Sequence, residues 1–135
     1  MVFRSSGYTK GTRTSHLVER AVRFGIEPVT DLWLSKHSSF WRDRSDRAKL
    51  RQVVADGKFD LVHSHLPNDM RLARGARLRI PIVRTLYDNE PRRTGAADLR
   101  AMRDAEAVFV FSRGMRRALL ERGFRDAQVV HVDSA

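Results

Sequence analysis

Six short runs rich in β-branched and aromatic residues punctuate the chain, separated by stretches whose apolar residues recur three and four apart. The runs Val2–Arg4, Pro28–Leu34, Phe59–His65, Ile82–Leu86, Ala107–Phe111 and Gln128–Val132 read as strands. From Leu34 onward their ends recur every 21 to 31 residues. That is the rhythm of βα units, because a parallel neighbour needs a crossover of roughly a dozen residues or more. Between the runs, Leu17, Val18, Ala21 and Val22 make an apolar helix face, with Ser15 placed to cap it and Gly25 to stop it. Ser45 is placed to cap a second helix, with Leu50, Val53 and Val54 inward and Gly57 beyond its end. Asn68 is placed to cap a third, carrying Leu72, Ala73 and Ala76. Ser112 heads the last, with Met115, Ala118 and Leu119 inward and Gly123 closing it; a weaker helix lies around Ala96–Asp104. The pattern predicts an α/β fold: a Rossmann-like, doubly wound parallel sheet of about six strands with helices on both faces.

In such sheets ligands bind outside the carboxyl ends of the strands. Polar segments fall at those places: "SSGYTKGTRTS" from residue 5, "HSHLPND" from residue 63, "TLYDNEP" from residue 85 and "FSRG" from residue 111. His63 and His65 alternate, so they share a strand face and have the spacing of a metal-gripping pair. No third ligand stands at a recognisable spacing; Asp69 is the nearest, and His16, His37 and His131 are scattered. No metal site is expected. Instead one imidazole packs in the sheet with a backbone partner, and His65 lines the cleft. The first loop has glycines at 7 and 11 but matches neither G-x-G-x-x-G nor a P-loop. A strand, a glycine-containing loop and a helix start can present backbone N–H groups to phosphate or sugar oxygens; glycine serving only for positive φ is an equal reading. Arg84, inside a strand, calls for an acidic partner or a position in the cleft. Asp88 and Glu90 suit general bases or sugar-hydroxyl acceptors, and equally solvated charges paired with Arg92 and Arg93.

Composition narrows the classes. The chain has 135 residues, which fits one domain and suffices for a core without staples. It has no cysteine, hence no disulfide framework and no thiolate chemistry. The first residues carry no run of signal-peptide length, and no segment approaches the ~20 apolar residues of a membrane span, so a cytoplasmic protein is expected. The net charge of +10 favours anionic partners. All but four of the 26 basic residues are arginine, spread along the chain rather than gathered in a tail. In "SSFWRDRSDRAKLR", from residue 38, Phe40 and Trp41 stand among basic residues. This suits peripheral association with an anionic membrane, although two aromatics tucked on the core above a solvated basic face is the favoured reading. No helix-turn-helix, RNA-recognition or zinc signature supports nucleic acid as a partner.

The motifs together resemble the N-terminal, acceptor-side domain of glycosyltransferase family 4, of the GT-B architecture. "FDLVHSHLPNDMRLARGARLRIPIVRTLYD" is similar to the family's D-hydrophobic-V-H-x-H strand, small-residue helix and P-hydrophobic-V-x-T-x-H strand. "DAEAVFVFSRGMRRALLERGF" resembles its A-D-x-hydrophobic-hydrophobic-x-x-S … L-x-x-x-G segment, and "VVHVDSA" its linking strand. "GTRTSHLVERAVRFGIEPV" is similar to its first helix and second strand. The resemblance covers nearly the whole chain. It implies one domain over residues 1–135, with the donor-binding domain absent from this chain. It implies a retaining enzyme that moves a sugar, of hexosyl type, from a nucleotide-sugar to a glycan, lipid or small-molecule acceptor. No metal and no cofactor beyond the nucleotide-sugar co-substrate are implied, and this chain alone would be inactive. The family's sugar-orienting histidine position holds Tyr87, so Tyr87 and Asp88 are the candidate catalytic residues. A tyrosine still donates a hydrogen bond to a sugar hydroxyl, over a different acid–base range. Candidate donor- or acceptor-binding residues are Gly7, Lys10, Gly11, Thr12, His65, Asn68, Asp69, Arg84, Ser112 and Arg113. The first strand is shorter than the family's opening run. The alternative is a non-catalytic Rossmann-like module that binds a phosphorylated, anionic ligand.

Overall fold

Short apolar runs and amphipathic stretches alternate in the folded chain as they do in the sequence. The computed structural model describes residues 2–4, 13–27, 29–32, 40–87 and 95–133. Its elements in order are β1 (Val2–Arg4), α1 (Arg13–Arg23), β2 (Val29–Leu32), α2 (Phe40–Asp56), β3 (Val62–Ser64), α3 (Pro67–Gly75), β4 (Ile82–Thr85), α4 (Ala96–Arg103), β5 (Ala107–Val110), α5 (Arg113–Leu120) and β6 (Val129–His131). A short 3-10 turn over Asp126–Gln128 leads into β6. All strand pairs are parallel, and helices flank the sheet on both sides. The fold is α/β and Rossmann-like.

The sheet differs in one respect from the expected six strands. Among the described residues, ladder bonds join β3-β4-β5-β6 as a sheet of four and β1-β2 as a separate pair. The strands are short: β1 and β3 have three residues each, which leaves little edge for further pairing. Phe59 and Leu61, expected within the third strand, lie ahead of β3 and are each 48% exposed.

Register explains the core. Ser64 lies opposite Arg84, Arg84 opposite Val108, and Val108 opposite Val129. All four are buried, and they form one row across the sheet. Successive right-handed crossovers in the order β3-β4-β5-β6 put α3, α4 and α5 on a single face. Met70, Ala101, Met102, Met115 and Leu119 from those helices pack with Val108, Val110 and Val129 in the main cluster. A smaller cluster of Leu50, Ala73 and Ala76 ties α2 to α3.

Helix starts depart from the expected caps in three places. α3 begins at Pro67, not behind Asn68: Leu66 is extended, Pro67 takes the first turn where its missing N–H goes unneeded, and Asp69 Oδ2 accepts from Leu66 N at 3.1 Å. Asn68 lies inside the helix and accepts from Arg71. α2 starts at Phe40 and runs through Ser45, since no glycine or proline interrupts residues 40–56 and Asp43 suits its first turn. α1 starts at Arg13, which puts Ser15 within its first turn. The Ser112 cap is as expected, with Oγ accepting from Met115 N at 3.1 Å.

Gly25 and Gly123 adopt φ of 71° and 82° after their helices, the conformation for which glycine is suited. After α2 that role falls to Lys58, with φ 48°, rather than to Gly57. Val22 and Trp41, expected inward, are 59% and 76% exposed. One buried polar group helps lock the sheet's far side: Gln128 Nε2 donates to the carbonyls of Met102, Arg103 and Ala105 at 3.3, 3.1 and 2.6 Å. They lie at the end of α4 and in the turn just beyond it, where the Met102 carbonyl also accepts from Ala105 N at 3.0 Å.

Candidate functional site

The face of the four-stranded sheet opposite α3–α5 carries the alternate residues. Along β3 these are His63 and His65, along β4 Thr85 and Tyr87, and along β5 Phe109 and Phe111. His63 Nε2 lies 2.6 Å from Thr85 Oγ1, and His65 Nδ1 lies 2.8 Å from the Tyr87 hydroxyl. The two imidazole centroids are 4.2 Å apart. His65 stacks on Tyr87 at 6.1 Å, and Tyr87 on Phe111 at 6.0 Å. The result is a continuous strip of rings over the carboxyl ends of three strands. Tyr87 and Phe111 are 48% and 42% exposed, so the strip is open to a ligand.

Two contacting imidazoles resist carrying two charges. Burial of part of its ring, then the neighbouring His65, then the Arg84 guanidinium, hold His63 below the usual histidine range. A neutral His63 shares one proton with Thr85 and needs no counter-ion. His65 commits Nδ1 to Tyr87, which directs Nε2 outward as a hydrogen-bonding or proton-accepting group.

Beneath the strip lie two charged side chains, Arg84 and Asp69. Arg84 is fully buried, on the helix-facing row rather than in the open cleft. Asp69 is half-buried at the start of α3. Burial pushes its carboxyl above the ordinary aspartate value, against the opposing pull of the Leu66 N–H, Arg84 and His65. Its oxygen already serves Leu66. Ser112 Oγ is likewise held as a cap, though its O–H still has a proton to donate. Arg113 opens α5 and is exposed.

Of the residues expected at the site, the structure brings His65 and Tyr87 into direct contact and puts Asn68 and Asp69 on the helix start that follows β3. Ser112 and Arg113 stand at the equivalent point after β5. Gly7, Lys10, Gly11, Thr12 and Asp88 lie outside the described residues. His63 finds a side-chain partner, Thr85, where a backbone partner was expected. Thr85, Phe109 and Phe111 were not anticipated. Their signal was in the sequence: positions 85/87 and 109/111 repeat the two-residue alternation of 63/65 on neighbouring parallel strands. Among the described residues no group of three histidines, cysteines or carboxylates could hold a metal ion. No described helix is long and apolar enough to cross a membrane.

A Rossmann-like sheet with a polar, ring-lined carboxyl edge places the chain in the α/β class. Residues 7–133 match the model of Glycosyltransferase Family 4, and the chain belongs to that family. A search of curated proteins by sequence found no match. Among solved structures, the UDP-N-acetylglucosamine 2-epimerase from Rickettsia bellii is similar, with a TM-score of 0.64 and 16% identity over 98% of this chain. The likeness is one of fold, and this chain spans 36% of that one.

Proposed function

We propose that this chain is the acceptor-side domain of a retaining glycosyltransferase, which moves a hexosyl group from a nucleotide-sugar to a glycan, lipid or small-molecule acceptor. The observation that carries the reading is the His65–Tyr87 hydrogen bond at the carboxyl edge of the sheet in a member of this family. A sugar is a ring with an apolar face and a rim of hydroxyls. Exposed Tyr87 and Phe111 offer flat surfaces to the one, while His65 Nε2 and the Tyr87 hydroxyl offer hydrogen bonds to the other.

In this reading Tyr87 takes the place of the family's histidine and works as a pair with His65. The hydroxyl bridges His65 Nδ1 and a sugar hydroxyl, so the imidazole sets which way the phenol's proton points. Positioning of this kind supplies much of the rate in group transfer. In this reading the nucleotide and its phosphates belong to a second domain, and Gly7 to Thr12 are the residues of this chain proposed to contact them. The complete protein, screened against nucleotide-sugars with release of nucleotide as the readout, should turn over at least one of them in the presence of an acceptor. Absence of turnover with every common nucleotide-sugar, alongside tight binding of a phosphorylated ligand by the isolated chain, would favour a non-catalytic binding module instead.

A further inference from the structure

On the helical side of the molecule, α2, α3 and α4 enclose a groove of about 660 Å³ that shares no residue with the strand-end site. Five arginines line it: Arg47 from α2, Arg71 and Arg74 from α3, Arg77 just beyond α3, and Arg100 from α4. Two are partly compensated, Arg71 by Asp98 at 3.3 Å and Arg74 by Asp104. Arg47, Arg77 and Arg100 form no ion pair among the described residues, and all three are exposed. Like charges gathered in one concavity repel one another unless something anionic occupies it.

Two local features hold the arrangement. Gly75 gives Arg47 its place, since a Cβ there would stand 2.6 Å from Arg47 Nε and 2.9 Å from its Cζ. Arg77 sits at φ 51°, a left-handed conformation in which an arginine is disfavoured. Ala97, in the first turn of α4, also lines the groove. Gly95 caps that turn without a side-chain hydrogen bond, and the positive end of the helix is offset in part by Asp98, itself engaged by Arg71.

We propose that this groove binds a phosphate-dense anion, with two phosphate groups close together, as in a soluble diphosphate or a clustered anionic lipid headgroup. The volume admits such a group. Guanidinium forks on three sides match phosphate oxygens better than ammonium groups would, and the net positive charge left after the two ion pairs is what a diphosphate would neutralise.

Calorimetric titration of the protein with inorganic pyrophosphate should show one saturable site, weakened by added salt. Arg47→Gln with Arg100→Gln should weaken it at least about tenfold. The charge-matched control Arg20→Gln with Arg23→Gln, on α1, should change it by less than about twofold. Gly75→Ala keeps every charge and displaces the Arg47 guanidinium, so it should weaken binding as well. Thermal melts of each variant confirm folding. Sedimentation with phosphatidylcholine vesicles, with and without phosphatidic acid, then identifies the source. Vesicle binding lost in the Arg47/Arg100 variant assigns a lipid headgroup, and pyrophosphate binding without vesicle binding assigns a soluble ligand. Absence of a pyrophosphate site, equal losses in both charge-matched variants, or binding confined to a duplex oligonucleotide would overturn the proposal.

Discussion

His65 Nδ1 and the Tyr87 hydroxyl, from the ends of adjacent parallel strands, lie 2.8 Å apart with their rings inclined by 25°. Neither residue is buried, so the contact contributes little to folding and its value must be sought in what it orients. Tyr87→Phe keeps the ring stacked between His65 and Phe111 and removes only the hydroxyl. Under the proposed function, the expected result for the complete protein is a fall in kcat of about tenfold or more, with KM for the acceptor little changed and the melting temperature within about a degree or two of the parent. Equal kcat in the variant would remove Tyr87 from the mechanism.

The lowered His63 has a consequence for stability. Because the folded state holds this histidine below its ordinary value, the unfolded chain binds more protons in the interval between the two. The contribution is fully present above about pH 6.5 and is lost as pH falls through the folded value. Asp69, raised by burial, has the opposite sign at lower pH: its contribution is present below the ordinary aspartate value and is lost as pH rises through the raised one. Denaturant unfolding between about pH 5 and pH 7.5 should therefore show stability rising with pH. His63→Asn should flatten that slope while keeping a partner for Thr85. An unchanged slope would show that other groups govern it.

Much of this fold was legible because parallel strands and their helices repeat one pattern. The runs at 82–86, 107–111 and 128–132 predicted β4, β5 and β6 to within two residues at each end, since each is flanked by turn residues and filled by Val, Ile or Phe. Caps were harder. Asn68 and Ser45 are good cap residues by type, yet Pro67 with Asp69 fixes the start of α3 two residues earlier, and α2 meets no obstacle before Phe40. Propensity identifies candidates; the chain's path from the preceding strand decides among them. At the site, His65 and Tyr87 could be placed at one edge from strand ends alone. The alternation that carries Thr85 and Phe111 was in the sequence, but which side chain each would meet depended on cross-strand register. Arg84 was ambiguous for a related reason. Its strand position was clear, but whether it faced the helices or the cleft depended on register, and it faces the helices.

Asp69 holds the first turn of α3 through Leu66 N. Asp69→Ala should destabilise the protein by about 1 kcal/mol, the usual worth of a helix-start acceptor. Asp69→Asn, which retains an oxygen acceptor, should lose less. Urea unfolding of the pair at neutral pH distinguishes them, and equal losses would point to the charge and its attraction to Arg84 and His65 rather than to the acceptor oxygen.

Gln128 makes a stronger case, because its donors meet three carbonyls in a buried setting. Gln128→Leu fills the space and leaves those carbonyls without their side-chain donor. The expected loss is about 1–3 kcal/mol. Amide exchange should quicken in the segment from Met102 to Ala105 beyond the global change. A loss confined to global stability would mean that the glutamine acts by packing alone.

The last prediction concerns residues 1–135 in isolation. Group transfer requires donor and acceptor in one water-poor site, and much of the rate comes from holding both there. The described edge of this sheet offers exposed rings and a few hydrogen-bonding groups, with Arg84 buried beneath them. In the proposed division of labour the donor's phosphates are gripped by a second domain, and the Gly7–Thr12 loop adds only a few hydrogen bonds. Exposed hydrogen bonds contribute about 1 kcal/mol each net, and association itself consumes several times that in lost freedom. The isolated chain should therefore bind a nucleotide-sugar no tighter than roughly millimolar, about −4 kcal/mol, and should transfer no sugar. Because the arginine groove is a separate phosphate site, the titration belongs on the Arg47→Gln/Arg100→Gln background as well as on the parent. Micromolar donor affinity in both, or sugar transfer above a buffer control, would show that this domain carries a complete catalytic site and would overturn the proposed division of labour.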